Sequence, residues 1–280
     1  MDSWVTPHLT GGIGNRLFEF AAALGLAEKY KMQCVFHKGF ITKNDHGPSD
    51  NIVKLYPKIP VIDGNQHHTK LVEPNGDCFR YIPFPEQKPG DRLVVLGYRQ
   101  TPIYFPKNLE ILRPTWETFL PPLEQTSLLA KYSLSTVVER FSTWFLHIRL
   151  GDYKVLPHHQ IPVIPYYQTC LNQVPKGSTV ILFSDEPNLC RQWFETECQK
   201  RNLKYKIIEE EEIPSLFLMS HAWGGAIVAN STFSWWGAFF AKLANPAEPY
   251  RAFYPSVWGQ GLPPAVNIVP DWGTQVQINL

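Results

Sequence analysis

Cysteine is scarce in this chain and is not spaced for pairing. Cys34, Cys78, Cys170, Cys190 and Cys198 are odd in number and include no CxxC pair. That argues against a disulfide framework or a zinc site and points to a reducing, cytoplasmic setting. No apolar run reaches the ~18 residues of a membrane-spanning helix. Met1-Asp2-Ser3-Trp4 lacks the basic-then-apolar order of a secretion signal, so none is expected. Excess charge of either sign is absent too: Lys+Arg is 26 against Asp+Glu 25. This balance argues against nucleic acid or an anionic membrane as the main partner, while leaving room for a local anion site. Internal repeats and low-complexity tracts are also missing.

What is present is a packed α/β chain. The 280 residues suffice for two domains, and 44% hydrophobic content supplies a core. From about residue 143 strand patterns (144–150, 179–184, 205–208, 226–229, 251–254) alternate with helix patterns (166–173, 188–202, 213–221, 234–243). That rhythm predicts a mostly parallel sheet covered by helices. The first half opens with a strand at 4–9, a glycine turn and a helix over 15–30. On that helix Leu17, Phe20, Ala21 and Leu24 recur at helical spacing. Strand patterns follow at 33–36 and 93–98, and residues 38–90 read as loop-dominated. The expected division is an N-terminal domain over 1–138 and a C-terminal domain over 139–280.

Chemistry-bearing residues gather at strand ends. His147-Ile148-Arg149-Leu150-Gly151-Asp152-Tyr153 follows the apolar Trp144-Phe145-Leu146, and ligands of open α/β sheets bind beyond such ends. Arg149 sits where alternation places a core residue and needs an anionic partner there. A phosphate matches its fork; a structural ion pair with Asp152 is the alternative. Asn230-Ser231-Thr232-Phe233-Ser234 links a strand to a helix, where hydroxyls and free N–H groups suit a phosphate. The bland reading is that Ser234 caps the helix. Phe183-Ser184-Asp185-Glu186 offers a carboxylate for a ribose or base, or simply a cap before Pro187. Gly11-Gly12-Ile13-Gly14-Asn15-Arg16-Leu17 has the look of a dinucleotide fingerprint, but Leu17 replaces the third glycine and no acidic residue follows about 20 positions on. A nicotinamide enzyme is therefore disfavoured, and a ligand-approach loop or a plain tight turn remains. His67-His68 and His158-His159 are adjacent pairs without metal-ligand spacing. Glu209–Glu212 reads as solvated. With no DxD triplet in the sequence, a metal-bridged diphosphate is not suggested.

In order along the chain, Gly11–Ala22 (GGIGNRLFEFAA), Gly97–Phe105 (GYRQTPIYF), His147–Tyr153 (HIRLGDY), Phe183–Asp185 (FSD) and Ala229–Ala238 (ANSTFSWWGA) resemble glycosyltransferase family 11, the α-1,2-fucosyltransferases. The resemblance implies a GT-B-like α/β fold with two Rossmann-like domains facing a cleft, the acceptor on the N-terminal side and the nucleotide-sugar on the C-terminal side. It implies an inverting, metal-independent enzyme with no cofactor, which takes fucose from GDP-fucose to a glycan acceptor. Carried over by motif, Arg149 would bind the diphosphate, and His147 and Asp185 would hold the nucleoside. Ser231, Thr232 and Ser234 would line the phosphate pocket, with Asn230 beside them. Gly12, Gly14, Asn15 and Arg16 would face the cleft. Leu150 and Arg16 depart from the arginine and glutamine usual in the family.

Without a metal, the leaving diphosphate must be met by donors already in place. Asp152 is the first candidate to take the acceptor proton, with Glu19 and His158 behind it, although Asp152 would serve equally to orient Arg149. The rivals are a transferase for another nucleotide-sugar, and a non-catalytic sugar-binding module built on Trp235, Trp236 and Trp258.

Overall fold

Two parallel sheets carry the strand–helix alternation in the computed structural model, which describes residues 3–41, 50–64, 67–74, 77–88, 90–246, 249–262 and 264–279. The chain divides into a unit of 1–119 with 265–270 and a unit of 120–264 with 271–280.

In the first unit the elements run β1 (Trp4–Pro7), α1 (Ile13–Tyr30), β2 (Gln33–Cys34), β3 (Phe36–His37), α2 (Asn51–Leu55), β4 (Val61–Ile62), β5 (Thr69–Val72) and β6 (Arg92–Leu96). The main sheet has the order β2-β1-β6-β5, with every pair parallel. Helix α1 buries its apolar stripe against this sheet. It stops at Lys31, whose left-handed backbone (φ 54°) returns its N–H to the carbonyls of Ala27 and Glu28. The region 38–90, expected to be mostly loop, contains α2, β4 and β5. These elements are two to five residues long, too short to impose a readable period.

The second unit runs α3 (Pro122–Lys131), α4 (Val137–Phe141), β7 (Thr143–Ile148), α5 (Val163–Leu171), β8 (Thr179–Ser184), α6 (Pro187–Lys200), β9 (Lys204–Ile207), α7 (Glu212–Met219), β10 (Gly225–Ile227), α8 (Thr232–Ala244), β11 (Ala252–Pro255) and β12 (Gly273–Val276). Its six strands lie in the order β9-β8-β7-β10-β11-β12. Counted from β7, that is 3-2-1-4-5-6, the doubly wound dinucleotide-binding order. Helix α3 and the first residues of α4 fall before residue 139 yet belong to this unit, with α3 against α7 and α4 against β7. Both are short. α3 opens on Pro122, and α4 on a Thr136–Glu139 capping box. Strand β12 carries no sequence signal, because Gly-Thr-Gln-Val has neither an apolar run nor alternation.

The centre of the second sheet is β7, every residue of which is buried, as expected of a strand covered on both faces. Trp144, Leu146 and Ile148 face a core shared with Val180, Leu182, Tyr166, Tyr167 and Phe194. The alternate residue His147 has its ring 5.7 Å from Phe233 of α8. Two tyrosines of α5 close the strand ends from beneath. The Tyr167 hydroxyl donates to the His147 carbonyl at 2.9 Å, and that of Tyr166 lies 2.7 Å from the Val228 carbonyl and 2.8 Å from that of Phe253.

Candidate active site

The sheet order reverses between β7 and β10, since β8 lies to one side of β7 and β10 to the other. The loops leaving the two strands diverge there and open a crevice. They are 149–153 and 228–231, the places where the sequence concentrates its polar strand-end residues.

Register explains the first contact. Ile148 is paired with Ser184, so Arg149 and Asp185 leave adjacent strands side by side. The Arg149 Nη1 lies 3.1 Å from Asp185 Oδ2. The other carboxylate oxygen, Asp185 Oδ1, accepts the Leu150 N–H at 2.9 Å. Gly151 makes this approach possible, because a Cβ there would stand 2.3 Å from Asp185 Oδ2. Asp152 grips the guanidinium from the other side, its Oδ1 accepting Nε at 3.1 Å and Nη2 at 2.7 Å. Arg149 is thus held by two carboxylates while its side chain stays 33% exposed, beside Asp152 at 37% and Asp185 at 21%. The ion pair with Asp152, the alternative to a phosphate site, is present, and a partly open arginine is present with it.

On the opposite side of the crevice, Ser231 is the N-cap of α8, and its side chain makes no capping bond. The early N–H groups of a helix have no intrahelical partners, so this end favours an anion. Ser234 is wholly buried. Its hydroxyl accepts the Ala229 N–H at 3.2 Å and lies 3.3 Å from the Ser231 carbonyl, to which it donates. Asn230 is also buried, its Nδ2 donating to the His159 and Trp258 carbonyls, both at 3.1 Å. These two side chains therefore shape the loop. His147 lies beneath the crevice, and burial pushes its imidazole pKa down to about 3, with Arg149 adding to the effect. The ring is neutral at ordinary pH.

Sequence reasoning assigns Tyr153 no role. Its hydroxyl donates across the crevice to the Asn230 carbonyl at 3.0 Å, and its ring stacks on His159 at 4.3 Å and 9°. Only the neighbouring His158-His159 pair hints at such a stack.

The structure removes the basis of the sugar-binding rival built on Trp235, Trp236 and Trp258. Trp235 and Trp236 are wholly buried among Phe239 and Phe240, and Trp258 is buried as well. None of them presents a face for a sugar. A cavity of about 380 Å³ opens elsewhere in the second unit, beside the edge strand β9, lined in part by Lys131, Arg191 and Lys206. It includes none of the strand-end residues. Two of its cations are already paired, Arg191 with Glu209 at 2.9 Å and Lys131 with Glu210.

The first unit repeats the plan. Its sheet order reverses between β1 and β6, and Asn15 beyond β1 accepts from Gln100 Nε2 beyond β6 at 2.9 Å. Gly12 is the N-cap of α1, and Gly14, Asn15 and Arg16 form its first turn. Arg16 is buried at 1% exposure, close enough to Glu19 and Asp50 to favour their ionised forms. Glu19 accepts both the backbone N–H (2.8 Å) and the hydroxyl (2.6 Å) of Thr10, yet burial still raises its carboxyl pKa to about 8.

A doubly wound sheet with a half-open arginine at its switch point is an arrangement common among nucleotide-binding enzymes, and solved structures share the fold. The crystal structure of NodZ α-1,6-fucosyltransferase co-crystallised with GDP superposes with a TM-score of 0.51 at 12% identity, covering 85% of this chain and 92% of that one. POFUT1 in complex with GDP superposes at 0.53, also at 12% identity, covering 90% and 98%. The fold is therefore GT-B-like. Two Escherichia coli proteins are similar over most of their length. The O-antigen biosynthesis glycosyltransferase WbnK is 22% identical, covering 90% of this chain and 94% of that protein. An alpha-1,2-colitosyltransferase is 27% identical, covering 85% and 87%. The family model described as glycosyl transferase family 11 matches residues 124–245, and with these two relatives it makes the chain a glycosyltransferase.

Proposed function

We propose that this glycosyltransferase moves fucose from GDP-fucose to a hydroxyl of a glycan acceptor, with inversion and without a metal, forming an α-1,2 linkage. The observation that carries the reading is Arg149, held by Asp152 and Asp185 at the switch point opposite the uncapped start of α8. The second unit binds the donor. Arg149 and the first-turn N–H groups of α8, with Ser231 and Thr232, receive the diphosphate. His147 and Asp185 support the nucleoside end, and Asn230 and Ser234 keep the loop in shape. The first unit, through Gly12, Gly14, Asn15 and Arg16, serves the acceptor side.

Transfer separates an oxocarbenium-like sugar from a departing diphosphate. Donors fixed before the reaction stabilise that charge without reorganising. Each charge-assisted hydrogen bond contributes about 1.5–3 kcal/mol, so a bidentate arginine and two helix N–H groups are a sufficient substitute for a cation. Asp152 takes the orienting role in this scheme, because its Oδ1 already accepts two bonds from Arg149. The five free cysteines fit work in the cytoplasm. Among the described residues no helix is long and apolar enough to cross a membrane.

A second reading, transfer of a different nucleotide-sugar, is favoured by the similarity to the colitosyltransferase. The test is a transfer and hydrolysis screen across GDP- and UDP-sugars, with the product linkage read by NMR. Turnover of GDP-fucose alone, undiminished by EDTA, supports the first reading. Preference for another GDP-sugar selects the second. Turnover restricted to UDP-sugars, or activity lost to EDTA and restored by manganese, overturns the proposed donor or mechanism.

A further inference from the structure

Tyr153 joins the two sides of the crevice, and nothing in the donor scheme above uses it. Its hydroxyl reaches the Asn230 carbonyl at 3.0 Å, linking the loop beyond β7 to the loop beyond β10. On one side its ring stacks on His159, 4.3 Å away and nearly parallel. The Arg149 guanidinium carbon stands 5.6 Å from the centre of the same ring, within the range of a cation–π contact. Asn230 fastens the assembly again by donating to the His159 carbonyl. Tyr153 is thus a clasp with two arms, a hydrogen bond across the switch point and an aromatic wall beside the arginine. Burial pushes its phenol pKa up to about 12, so the hydroxyl remains a donor throughout the working pH range.

Neither carboxylate ties the guanidinium to α8, since Asp185 anchors it to the end of β8. Asp152 lies on the same loop, three residues along, and moves with it. Tyr153 ties that loop to the segment that ends in the N-terminus of α8. We propose that Tyr153 is a positioning residue, which holds Arg149 at a fixed distance from the first turn of α8 so that both engage one diphosphate group. The proposal rests on the donor reading above. It adds that affinity for the nucleoside diphosphate depends on Tyr153 through Arg149, by way of the bond to Asn230 and the ring contact.

A double-mutant cycle tests this on the full chain, with GDP titrated by calorimetry and steady-state kinetics run in parallel. Tyr153→Leu removes both arms and is expected to weaken GDP binding about tenfold or more. Tyr153→Phe keeps the ring and loses only the link, and about threefold is expected. Both variants should lower kcat while leaving the acceptor KM near wild type, which a general loosening of the fold would not do. In an Arg149→Lys background, which keeps the charge and removes the planar fork, the Leu substitution should cost less than about twofold, since coupled residues are not additive. Equal losses in both backgrounds would overturn the proposal and leave Tyr153 a purely structural residue, as would unchanged GDP affinity in Tyr153→Leu. If Tyr153→Leu does not fold by circular dichroism, Tyr153→Phe replaces it in the cycle, and equal losses in the two backgrounds again overturn the proposal. Failure of the wild-type chain to bind GDP is a separate outcome: it removes the donor reading, and this proposal with it.

Discussion

Both units place a pair of polar motifs at a sheet reversal, yet they treat their arginines in opposite ways. In the first unit Arg99 is enclosed. Its side chain is 3% exposed and lies 3.8 Å from Glu73, itself 7% exposed. It also donates to the Tyr104 hydroxyl and the Leu71 carbonyl, each at 3.2 Å, and sits 4.8 Å from the Phe84 ring centre. Glu73 in turn accepts the Tyr98 and Arg99 N–H groups, both at 2.9 Å. Gly97 permits this knot: its φ is +98°, and a Cβ there would lie 2.2 Å from that of Glu73. In the second unit Arg149 meets two carboxylates and remains one-third exposed. The same residue type at the same kind of strand end is sealed into structure in one unit and left open to an anion in the other. Burial, more than motif membership, separates an arginine that holds a fold from one that can hold a ligand.

That contrast breaks most sharply at Arg149. Arg149→Ala should lower kcat by about 100- to 1,000-fold, the scale of losing one preorganised donor to developing charge, with Tm within a few degrees of wild type. Activity within a few-fold of wild type would end its assignment to the diphosphate. A large fall in Tm would make it the counterpart of Arg99.

The reciprocal change is Arg99→Ala, which leaves Glu73 buried beside the gap. A loss of about 3–5 kcal/mol in urea denaturation is expected, with GDP affinity of the surviving folded fraction unchanged. A stable variant with weakened GDP binding would erase the distinction between the two units.

A smaller effect is expected at Asp152→Asn. If Asp152 orients Arg149, GDP affinity and kcat should fall together, by roughly tenfold each. A fall in kcat at constant affinity would assign it the acceptor proton instead, the role its place in the motif suggests.

Finally, the two units should respond to pH in opposite directions. The folded-state pKa of Glu19, about 8, lies above its ordinary 4.5, so the unfolded chain ionises first and the first unit loses stability as pH rises from about 4.5 to 8. The folded-state pKa values of His147, about 3, and His221, about 4, lie below the ordinary 6.5. Protons then favour the unfolded chain, and the second unit loses stability as pH falls below about 6.5. Glu19→Gln should remove its share of the fall in Tm between about pH 4.5 and 8 and leave the slope below about pH 4.5 unchanged. An unaltered slope between about pH 6.5 and 8 would place its origin elsewhere.

Much of this is legible in the order of residues. The apolar strands of the second half and the stripe on α1 are long enough to show their period, so the α/β class follows from them directly. Arg149 and Ser231 stand out because polar residues directly after apolar strands are conspicuous. Tyr153 does not: an aromatic residue in a loop carries no signal of what it touches, and its partner is a main-chain carbonyl 77 positions away. Ser234 and the paired tryptophans leave two readings open for a related reason, since composition does not reveal that a side chain is wholly enclosed.

Hydrophobic period and turn chemistry, both local properties of the chain, suffice to set the alternation of elements and the strand ends at which the polar motifs fall. It takes the assembled fold to put β7 between β8 and β10, to set Arg149 against Asp185 through the register of Ile148 with Ser184, and to seal Arg99 while Arg149 stays open. Strand order, register and burial arise from contacts between segments distant in the chain, and no local pattern of residues encodes them.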